Sequence, residues 1–200
     1  NLAPTANNYV NCSSFYHGDN GSFRALKGKF AACHFLMLDD LGTKVDLDRF
    51  KDFDLSWLLE TSPGNYQAGI IFDKPIIEGA EAERLLNTLI DANLCDAGAK
   101  QPLARWARLP VAINGKPAHQ TKSGAPFQCR LIDWRPEQRY SPEAIVEGLH
   151  LELAPAGRPK KTKASGRILI IRSANEGVHT PAPTENPVLA NLKAHGLYKT

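Results

Sequence analysis

The sequence lacks the features of a membrane, secreted or zinc-binding protein. No apolar run approaches the roughly 20 residues of a membrane-spanning helix, and no segment resembles a signal peptide. The cysteines are few and scattered, and they form no C-x-x-C pair and no cluster with histidine: Cys12, Cys33, Cys95 and Cys129. We therefore expect an intracellular protein without a membrane partner, with reduced and partly buried thiols and no structural zinc site.

The apolar content is sufficient for a core. With 200 residues, 42% of them apolar, the chain is long enough for one domain, with or without an appendage. We predict a folded core over residues 1–155, in which residues 1–11 are a poorly ordered lead-in. Residues 156–200 are predicted to be a basic linker and a C-terminal segment. The chain begins at Asn1 without a methionine, so we expect a segment of a longer protein.

The charged residues are divided unevenly along the chain. Residues 1–100 contain 9 Lys and Arg against 14 Asp and Glu, whereas residues 101–200 contain 15 against 7. An acidic site that faces a basic surface suits a metal-dependent enzyme acting on a polyanion such as a nucleic acid. An ordinary solvated surface with uneven charge would give the same counts, so this interpretation needs support from individual residues.

One apolar segment ends on two adjacent carboxylates, Asp39 and Asp40. Residues 31–38 are long enough for a buried strand, which places the pair at the end of that strand. Side chains alternate between the two faces of a strand, so both carboxylates enter one groove only if the chain turns, which Leu41-Gly42 allows. Converging carboxylates repel one another unless a divalent cation lies between them. The other interpretation is a solvated Asp-Asp turn that closes a core strand.

The remaining pattern predicts short strands and two well-marked helices. A helix over residues 78–93 has an apolar stripe at helical spacing and acidic residues near its start. A second helix is predicted to begin at Ser141-Pro142-Glu143. The serine is its N-cap, the proline is its first residue and the glutamate is an acid in its first turn. Other predicted elements are strands over 12–16, 56–61 and 127–134, a hairpin strand ending at 72, a helix or turn over 46–53, a strand or docking segment over 167–172, and a short helix over 186–196.

Three blocks of sequence, taken in order, carry a resemblance to a known family. They are Leu38-Asp39-Asp40-Leu-Gly-Thr-Lys44, then Glu60-Thr-Ser62-Pro-Gly-Asn65-Tyr-Gln67, then Asp96 followed by Arg108-Leu-Pro-Val-Ala-Ile-Asn114-Gly-Lys116. Over residues 35–117 the chain resembles the catalytic core of the archaeo-eukaryotic primase (AEP) superfamily, in particular RepB-type and phage-associated DNA primases. The resemblance implies an α/β (α+β) fold with an AEP- and RRM-like core. In that fold a central, mainly antiparallel sheet carries the acids on an open face, and helices flank it.

The resemblance also implies the residues of the site. Asp39, Asp40 and Asp96 would be the catalytic acids and would hold two Mg²⁺ or Mn²⁺ ions. The implied nucleotide-binding residues are Lys44, Ser62, Asn65, Gln67, Arg108, Asn114 and Lys116. Gln67 stands where many members of the wider superfamily carry a histidine that contacts the phosphates of the nucleotide. Glutamine carries no positive charge near neutrality, so phosphate binding would depend more on Arg108 and Lys116.

The implied activity is that of a metal-dependent DNA primase or primase-polymerase of a plasmid, phage or other mobile element, in the cytoplasm of a bacterial host. Such an enzyme joins NTPs or dNTPs on a single-stranded DNA template, and a helicase domain or protein is a further candidate partner. The resemblance also implies that residues 1–155 are the catalytic core and that residues 156–200 lead to further domains. Exposed aromatic side chains would stack on bases of the template. The candidates for this role are Tyr66, Trp106 and Trp134.

Alternatives remain open at the level of the sequence. Asp133 also follows an apolar run and competes with Asp96 for the role of third metal ligand. A non-catalytic replication-initiator module of the same fold would bind DNA through the basic half of the chain and would not need a metal. A nicking endonuclease of the rolling-circle type is disfavoured, because it needs a His-apolar-His motif and the sequence contains no His-x-His.

Overall fold

A computed structural model describes residues 6–96 and 102–153, and a mainly antiparallel sheet forms their centre. The predictions made for residues 156–200 lie outside the described residues. The strands are β1 (Tyr9–Asn11), β2 (Ser13–Phe15), β3 (Phe30–Leu41), β4 (Trp57–Ser62), β5 (Asn65–Ile76), β6 (Trp106–Arg108), β7 (Ile113–Asn114), β8 (Phe127–Gln128), β9 (Arg130–Trp134) and β10 (Arg139–Tyr140). The helices are α1 (Gly79–Asp91) and α2 (Pro142–Gly148).

The main sheet has six strands. Five lie in the order β2-β3-β5-β4-β9, and each is antiparallel to its neighbours. The sixth, β10, pairs in parallel with β5 at Ile71 and Phe72. Two further pairs, β1–β6 and β7–β8, are antiparallel and separate from the main sheet. The predicted α+β class with a mainly antiparallel sheet is therefore confirmed.

The central strands build an apolar cluster on each face of the sheet. Leu36 and Leu38 of β3 join Leu86 of α1 in the larger cluster, on the face that the helix covers. The residue between them, Met37, points to the opposite face and joins Leu59 of β4 in a smaller cluster. Burying a side chain of this size contributes roughly 1.5–3 kcal/mol. Helix α1 therefore covers one face of the main sheet. The short β1–β6 pair and the candidate site lie on the opposite face.

Both predicted helices in the described residues are confirmed close to their predicted bounds. Helix α1 ends where Asn93 adopts a left-handed φ of 56°, which asparagine tolerates better than most residues. Helix α2 follows Ser141, whose side chain accepts a hydrogen bond from the Ala144 N–H at 3.2 Å, and begins with Pro142. Within the described part of the chain, no helix is long and apolar enough to cross a membrane.

Three predictions need correction. Residues 9–11, predicted to belong to a poorly ordered lead-in, form β1 and pair with β6. The strand predicted over 31–38 continues to Leu41, so that both aspartates lie within it rather than after it. Residues 127–134, predicted as one strand, form β8 and β9, which belong to different sheets and are separated at Cys129.

The cysteines are all free and are more deeply buried than predicted. Their exposed fractions are between 1% and 3%. Burial is the largest influence on each thiol and raises its pKa. The reactive thiolate is therefore scarce at neutral pH, and these residues behave as small apolar core side chains.

Gly69 lies against the indole ring of Trp57, its antiparallel partner. A Cβ atom at Gly69 would lie 1.9 Å from Trp57 Nε1 and 2.1 Å from Cε2, so the rigid ring would have to move. We expect Gly69→Ala to lower the free energy of unfolding by about 1–3 kcal/mol through overpacking. Urea unfolding followed by tryptophan fluorescence measures this loss.

Gly28→Ala is the matched control for this substitution. Nothing lies within 4 Å of a Cβ atom at Gly28, and its φ is not positive. This variant should change the free energy of unfolding by less than about 0.5 kcal/mol. Equal stability of the two variants would contradict the close packing of Trp57 on Gly69.

Candidate functional site

Asp39 and Asp40 line the same cleft although they are neighbours in a strand. Asp40 has a left-handed φ of 59°, and the pairing of β3 with β5 shifts register between Leu38 and Leu41. This bulge interrupts the alternation of side chains and turns both carboxylates to one side. The sequence predicted the turn at Leu41-Gly42, and the structure places it one residue earlier. Left-handed backbone at a non-glycine residue costs on the order of 1 kcal/mol, and such strain is concentrated at functional sites.

The turn after β3 packs directly against the turn between β4 and β5. Gly42 has a φ of 82°, and a Cβ atom there would lie 2.5 Å from the carbonyl oxygen of Gly64. Only glycine combines this conformation with so close an approach. Thr43 Oγ1 donates a hydrogen bond to Asn65 Oδ1 at 2.5 Å across the same junction. The two turns therefore form one continuous wall of the cleft.

The cleft has a volume of about 550 Å³ and a mostly polar lining. It contains both aspartates of β3 and six of the seven residues predicted to bind nucleotide: Ser62, Asn65, Gln67, Arg108, Asn114 and Lys116. Lys44, the seventh, and Asp96 lie beside the lining. The lining residues that were not predicted to bind nucleotide are Tyr9, Thr43, Thr61, Pro63, Trp106 and His119. Most of these come from turns and two- or three-residue strands, in which no periodic pattern exists to be read.

Asp39 is held by three donors. Its Oδ1 accepts hydrogen bonds from Gln67 Nε2 at 3.2 Å and from the Asp40 backbone N–H at 3.0 Å. Its Oδ2 lies 3.5 Å from Arg105 Nη2. The Arg105 side chain is 11% exposed, so a nearly buried guanidinium partly offsets the charge of Asp39.

Gln67 connects Asp39 to strand β6. Its side-chain oxygen accepts from the Arg108 backbone N–H at 3.0 Å, while its amide nitrogen donates to Asp39. A carboxylate only accepts and an N–H only donates, so these partners define the orientation of the amide. Gln67 is buried. It therefore sets the position of Asp39 relative to β6, a role that the resemblance to a phosphate-binding histidine did not predict.

Asp40 is held by Asn65 and Lys44. Its Oδ1 accepts from Asn65 Nδ2 at 3.2 Å, and its Oδ2 accepts from Lys44 Nζ at 2.7 Å. Partial burial acts to raise the pKa of Asp40, but the hydrogen bonds from Lys44 and Asn65 and the charges of Lys44 and Lys116 lower it below its ordinary value. The carboxylate is therefore ionised at neutral pH.

Lys44 also joins Asp40 to Asp96. The same ammonium nitrogen that contacts Asp40 Oδ2 lies 3.3 Å from Asp96 Oδ1. Asp133, the rival of Asp96, lies on β9 outside the cleft lining and forms an ion pair with Arg135 at 2.9 Å. The geometry thus brings Asp96, and not Asp133, to the aspartates of β3. The metal-binding role of Asp96 stays a prediction.

Arg108 and Asn114 hold the far side of the cleft together. The Arg108 guanidinium donates to Asn7 Oδ1 at 2.8 Å, to the Ile113 carbonyl oxygen at 2.7 Å and to Asn114 Oδ1 at 3.3 Å. Asn114 donates in turn to the Thr61 carbonyl oxygen at 2.7 Å. All these acceptors are neutral, so they position the guanidinium without cancelling its charge. Both residues therefore stabilise the fold of the cleft in addition to any contact with a nucleotide.

The β1–β6 pair presents aromatic side chains to the cleft. Tyr9 lies opposite Arg108 in register, and the guanidinium carbon is 4.9 Å from the centre of the tyrosine ring. Trp106, two residues before Arg108, lines the same cleft and is 55% exposed. Tyr66, also predicted to stack on bases, packs instead against the larger apolar cluster.

A buried acid supports the turn between β4 and β5. Glu60 is 4% exposed, and its Oε1 accepts from the Gly64 backbone N–H at 3.0 Å. Its Oε2 accepts from Arg130 Nε at 2.7 Å, which supplies the compensating charge that a buried carboxylate needs. The pair holds the turn that carries Ser62 and Asn65. Neither Glu60 nor Arg130 was among the predicted site residues.

The three predicted metal ligands do not form a ready-made cluster. Within residues 6–96 and 102–153, no group of three or more His, Cys, Asp or Glu side chains is placed to hold a metal ion. Instead, Asp40 and Asp96 converge on one ammonium, and Asp39 lies beside one guanidinium. The donor chemistry fits Mg²⁺, which is usually bound through one or two carboxylates and keeps waters and substrate phosphates as its other ligands.

The bridging role of Gln67 can be tested by removing its amide while keeping its volume. We expect Gln67→Met to lower the free energy of unfolding by about 1–3 kcal/mol, because the buried Arg108 N–H loses its acceptor. Gln120→Met is the matched control at an exposed position and should stay within about 0.5 kcal/mol of the unmodified chain. Thermal unfolding followed by circular dichroism compares the two. A Gln67→Met variant as stable as the control would show that the bridge contributes nothing.

The chain matches one known protein family and is similar to several solved structures. Residues 15–154 match the RepB DNA-primase N-terminal domain. Among solved structures, the chain is similar to the primase-polymerase (PrimPol) AEP domain of cyanophage S-2L, with a TM-score of 0.50 and 13% identity over 70% of this chain and 69% of that chain. This likeness confirms the predicted AEP-type fold. No curated protein matches the chain at a significant level.

Two further solved structures are similar over a smaller share of the chain. One is a crystal structure of primase RepB', with 20% identity and a TM-score of 0.46 over 60% of this chain and 40% of that chain. The other is the catalytic domain of primase RepB' in complex with initiator DNA, with 22% identity and a TM-score of 0.44 over 58% of each chain. The family match extends from β2 to the end of the described residues and covers more than half of the chain. The chain therefore belongs to the RepB DNA-primase N-terminal domain family.

Proposed function

We propose that this chain is a metal-dependent DNA primase or primase-polymerase, a nucleotidyltransferase that joins NTPs or dNTPs on a single-stranded DNA template. One observation carries the proposal. In a member of a primase family, three carboxylates gather at a single polar cleft that also contains basic and amide side chains. Asp39 and Asp40 lie inside the cleft, and Asp96 lies beside it.

The reaction determines what these carboxylates would do. In nucleotidyl transfer, a 3′-hydroxyl attacks the α-phosphorus of a nucleoside triphosphate and pyrophosphate leaves. Bound Mg²⁺ or Mn²⁺ supplies a Lewis acid that activates the hydroxyl and stabilises the developing negative charge. Asp39, Asp40 and Asp96 would hold such ions. Gln67 and Asn65 already fix the first two carboxylates, which reduces the reorganisation needed when a substrate binds.

The triphosphate would lie along the basic side of the cleft. Lys116 is exposed in the lining, and its backbone N–H donates to Asn114 Oδ1 at 3.2 Å, which fixes the base of the side chain. Arg108 adds positive charge because its partners there are neutral. Gln67 is already engaged with Asp39 and β6, so we assign phosphate binding to Lys116 and Arg108 rather than to Gln67.

The template would contact the aromatic side of the cleft. Trp106 and Tyr9 are exposed there, and the flat face of an aromatic ring accepts any base. Trp134 is equally exposed, at 56%, but it lines a separate apolar groove of about 220 Å³ together with Val10 and Ala107. Val10 and Ala107 alternate with Tyr9 and Trp106 along the β1–β6 pair, so the groove lies on the other side of that pair. We therefore assign template stacking to Trp106.

The wider context of the protein is also part of the proposal. We place it on a plasmid, phage or other mobile element, in the cytoplasm of a bacterial host, with a helicase domain or protein as a partner. These three statements depend on the family resemblance and not on the geometry of the cleft.

A non-catalytic DNA-binding module of the same fold is the second candidate. The observation that favours it is the pairing of the acids with Lys44 and Arg105 in the absence of a three-ligand cluster among the described residues. Such a module would bind single-stranded DNA equally well in EDTA and would not consume nucleotides. The synthesis assay below separates the two candidates.

Asp40→Asn tests the proposed activity with the least disturbance of the fold. Asparagine tolerates the left-handed φ of 59° and keeps an oxygen for the hydrogen bond from Asn65, but it loses the charge that a metal ligand needs. We expect primer extension on a single-stranded template with Mg²⁺ or Mn²⁺ to fall about 100-fold or more. Stability should change little.

Asp133→Asn is the matched control, because it also removes one carboxylate from a strand but lies outside the cleft. It should extend primers at the rate of the unmodified chain. Primer extension by Asp40→Asn at the rate of the unmodified chain would show that Asp40 is not a catalytic residue. Absence of product from the unmodified chain, together with DNA binding in EDTA, would favour the binding module.

The template assignment is tested by a pair of tryptophan substitutions of similar exposure. We expect Trp106→Ala to weaken the binding of a labelled single-stranded oligonucleotide about tenfold, because one stacked base is lost. Trp134→Ala should weaken it less than about twofold. Fluorescence anisotropy at one fixed salt concentration measures both affinities. A larger loss of oligonucleotide affinity in Trp134→Ala than in Trp106→Ala would show that the template lies in the apolar groove instead.

A further inference from the structure

Lys44 is predicted by the family resemblance to bind nucleotide, and in the structure its ammonium contacts two carboxylates. It lies between two carboxylates, 2.7 Å from Asp40 Oδ2 and 3.3 Å from Asp96 Oδ1. Both oxygens belong to residues that would hold a metal ion if the proposed function is correct, and the inference drawn here rests on that function. A single cation is thus already bound where two of the predicted metal ligands meet.

We propose that the Lys44 ammonium holds the place of the metal ion between Asp40 and Asp96, and that it leaves this place when a divalent ion binds. Carboxylate oxygens that point at an ammonium present the same lone pairs that a divalent ion requires. A divalent ion bound to these two oxygens would need the position of the ammonium, because two cations at close range repel each other. Metal binding and the Lys44 contact are therefore mutually exclusive.

The backbone of Lys44 is fixed while its side chain is free to move. The Lys44 N–H donates to the Asp40 carbonyl oxygen at 3.0 Å, and the Val45 N–H donates to the same oxygen at 3.1 Å. Gly42 closes the turn by donating to the Val45 carbonyl oxygen at 2.7 Å. The side chain of Lys44 is 60% exposed, so its four-carbon stem can swing without disturbing the core.

The position of Lys44 between the two carboxylates links metal binding to nucleotide binding. Without a metal ion, Lys44 offsets the mutual repulsion of Asp40 and Asp96 and keeps them together. A divalent ion that arrives alone must displace the ammonium, and its affinity is lowered by that competition. When a triphosphate is also present, its phosphates give the released ammonium a new partner. Metal and nucleotide should therefore bind more tightly together than either does alone.

The other charged groups around the site are arranged differently. Arg105 contacts Asp39, at 3.5 Å from its Oδ2. Lys116 lines the cleft and influences Asp40 through its charge, without an ion pair to that residue among the described contacts. Lys116 is therefore a control for the effect of a nearby positive charge that does not lie between the carboxylates.

The test measures Mn²⁺ binding to the 200-residue chain without nucleotide, by electron paramagnetic resonance of free Mn²⁺. We expect Lys44→Met to bind Mn²⁺ roughly fivefold more tightly than the unmodified chain, because a competing exposed ion pair is removed. Lys116→Met should gain less than about twofold. In an Asp96→Asn background, Lys44→Met should increase the Mn²⁺ affinity by a smaller factor. In that background the Lys44 ammonium has no second carboxylate to bridge, so its removal changes less.

The outcomes separate this inference from the proposed function. Saturable binding of equal affinity in the unmodified chain and in Lys44→Met would overturn the role of Lys44 and leave the proposed function standing. Equal increases of Mn²⁺ affinity in Lys44→Met and Lys116→Met would also overturn the role of Lys44. The same holds if Lys44→Met increases the affinity by the full factor in the Asp96→Asn background. Absence of saturable Mn²⁺ binding in every variant would overturn the metal site of the proposed function itself.

Discussion

The left-handed backbone at Asp40 is the constraint on which the rest of the site depends. In a regular strand, Asp39 and Asp40 would point to opposite faces of the sheet, and Asp40 would enter the apolar cluster beneath α1. The bulge prevents this and places both carboxylates in one cleft. It also sets the direction of the turn that follows, and this turn brings Lys44 back over the carboxylate of Asp40.

Neutral amide side chains connect the parts of the cleft. Gln67 joins Asp39 to β6, Asn65 joins Asp40 to the turn after β3, and Asn114 joins β7 to the backbone of β4. An amide both donates and accepts, so it can link a carboxylate to a backbone group or to a guanidinium without adding charge. These amide hydrogen bonds therefore join the walls of the cleft without changing its charge.

The sequence predicted those parts of the fold that local chemistry determines. The apolar stripe of α1 and the Ser141 cap of α2 specify helices independently of their neighbours, and both are observed. The bulge at Asp40 was misplaced because aspartate in a strand gives no signal of a positive φ. The sequence predicts only a lead-in over residues 9–11, because a three-residue strand has too short a pattern to recognise and its order depends on pairing with the distant β6.

The candidate site was predicted as a set of residues but not as a set of contacts. Blocks of sequence resemblance brought together eight predicted site residues that line the cleft, yet they could not show that Gln67 is hydrogen-bonded within the protein. The contacts of Arg105 and Glu60 were not predicted, because their charged partners lie far away in sequence. Long-range pairs of this kind leave no periodic signal, and only the folded chain reveals them.

The central claim is that Asp40 and Asp96 form a cation site at the edge of a nucleotide cleft. The most direct measurement is anomalous diffraction at the manganese edge from crystals of the chain with Mn²⁺ and a non-hydrolysable nucleoside triphosphate. The account predicts a manganese peak between Asp40 and Asp96, with Lys44 displaced from both carboxylates. Manganese bound at Asp133, or a peak absent from the cleft while Lys44 still bridges the two aspartates, would contradict it.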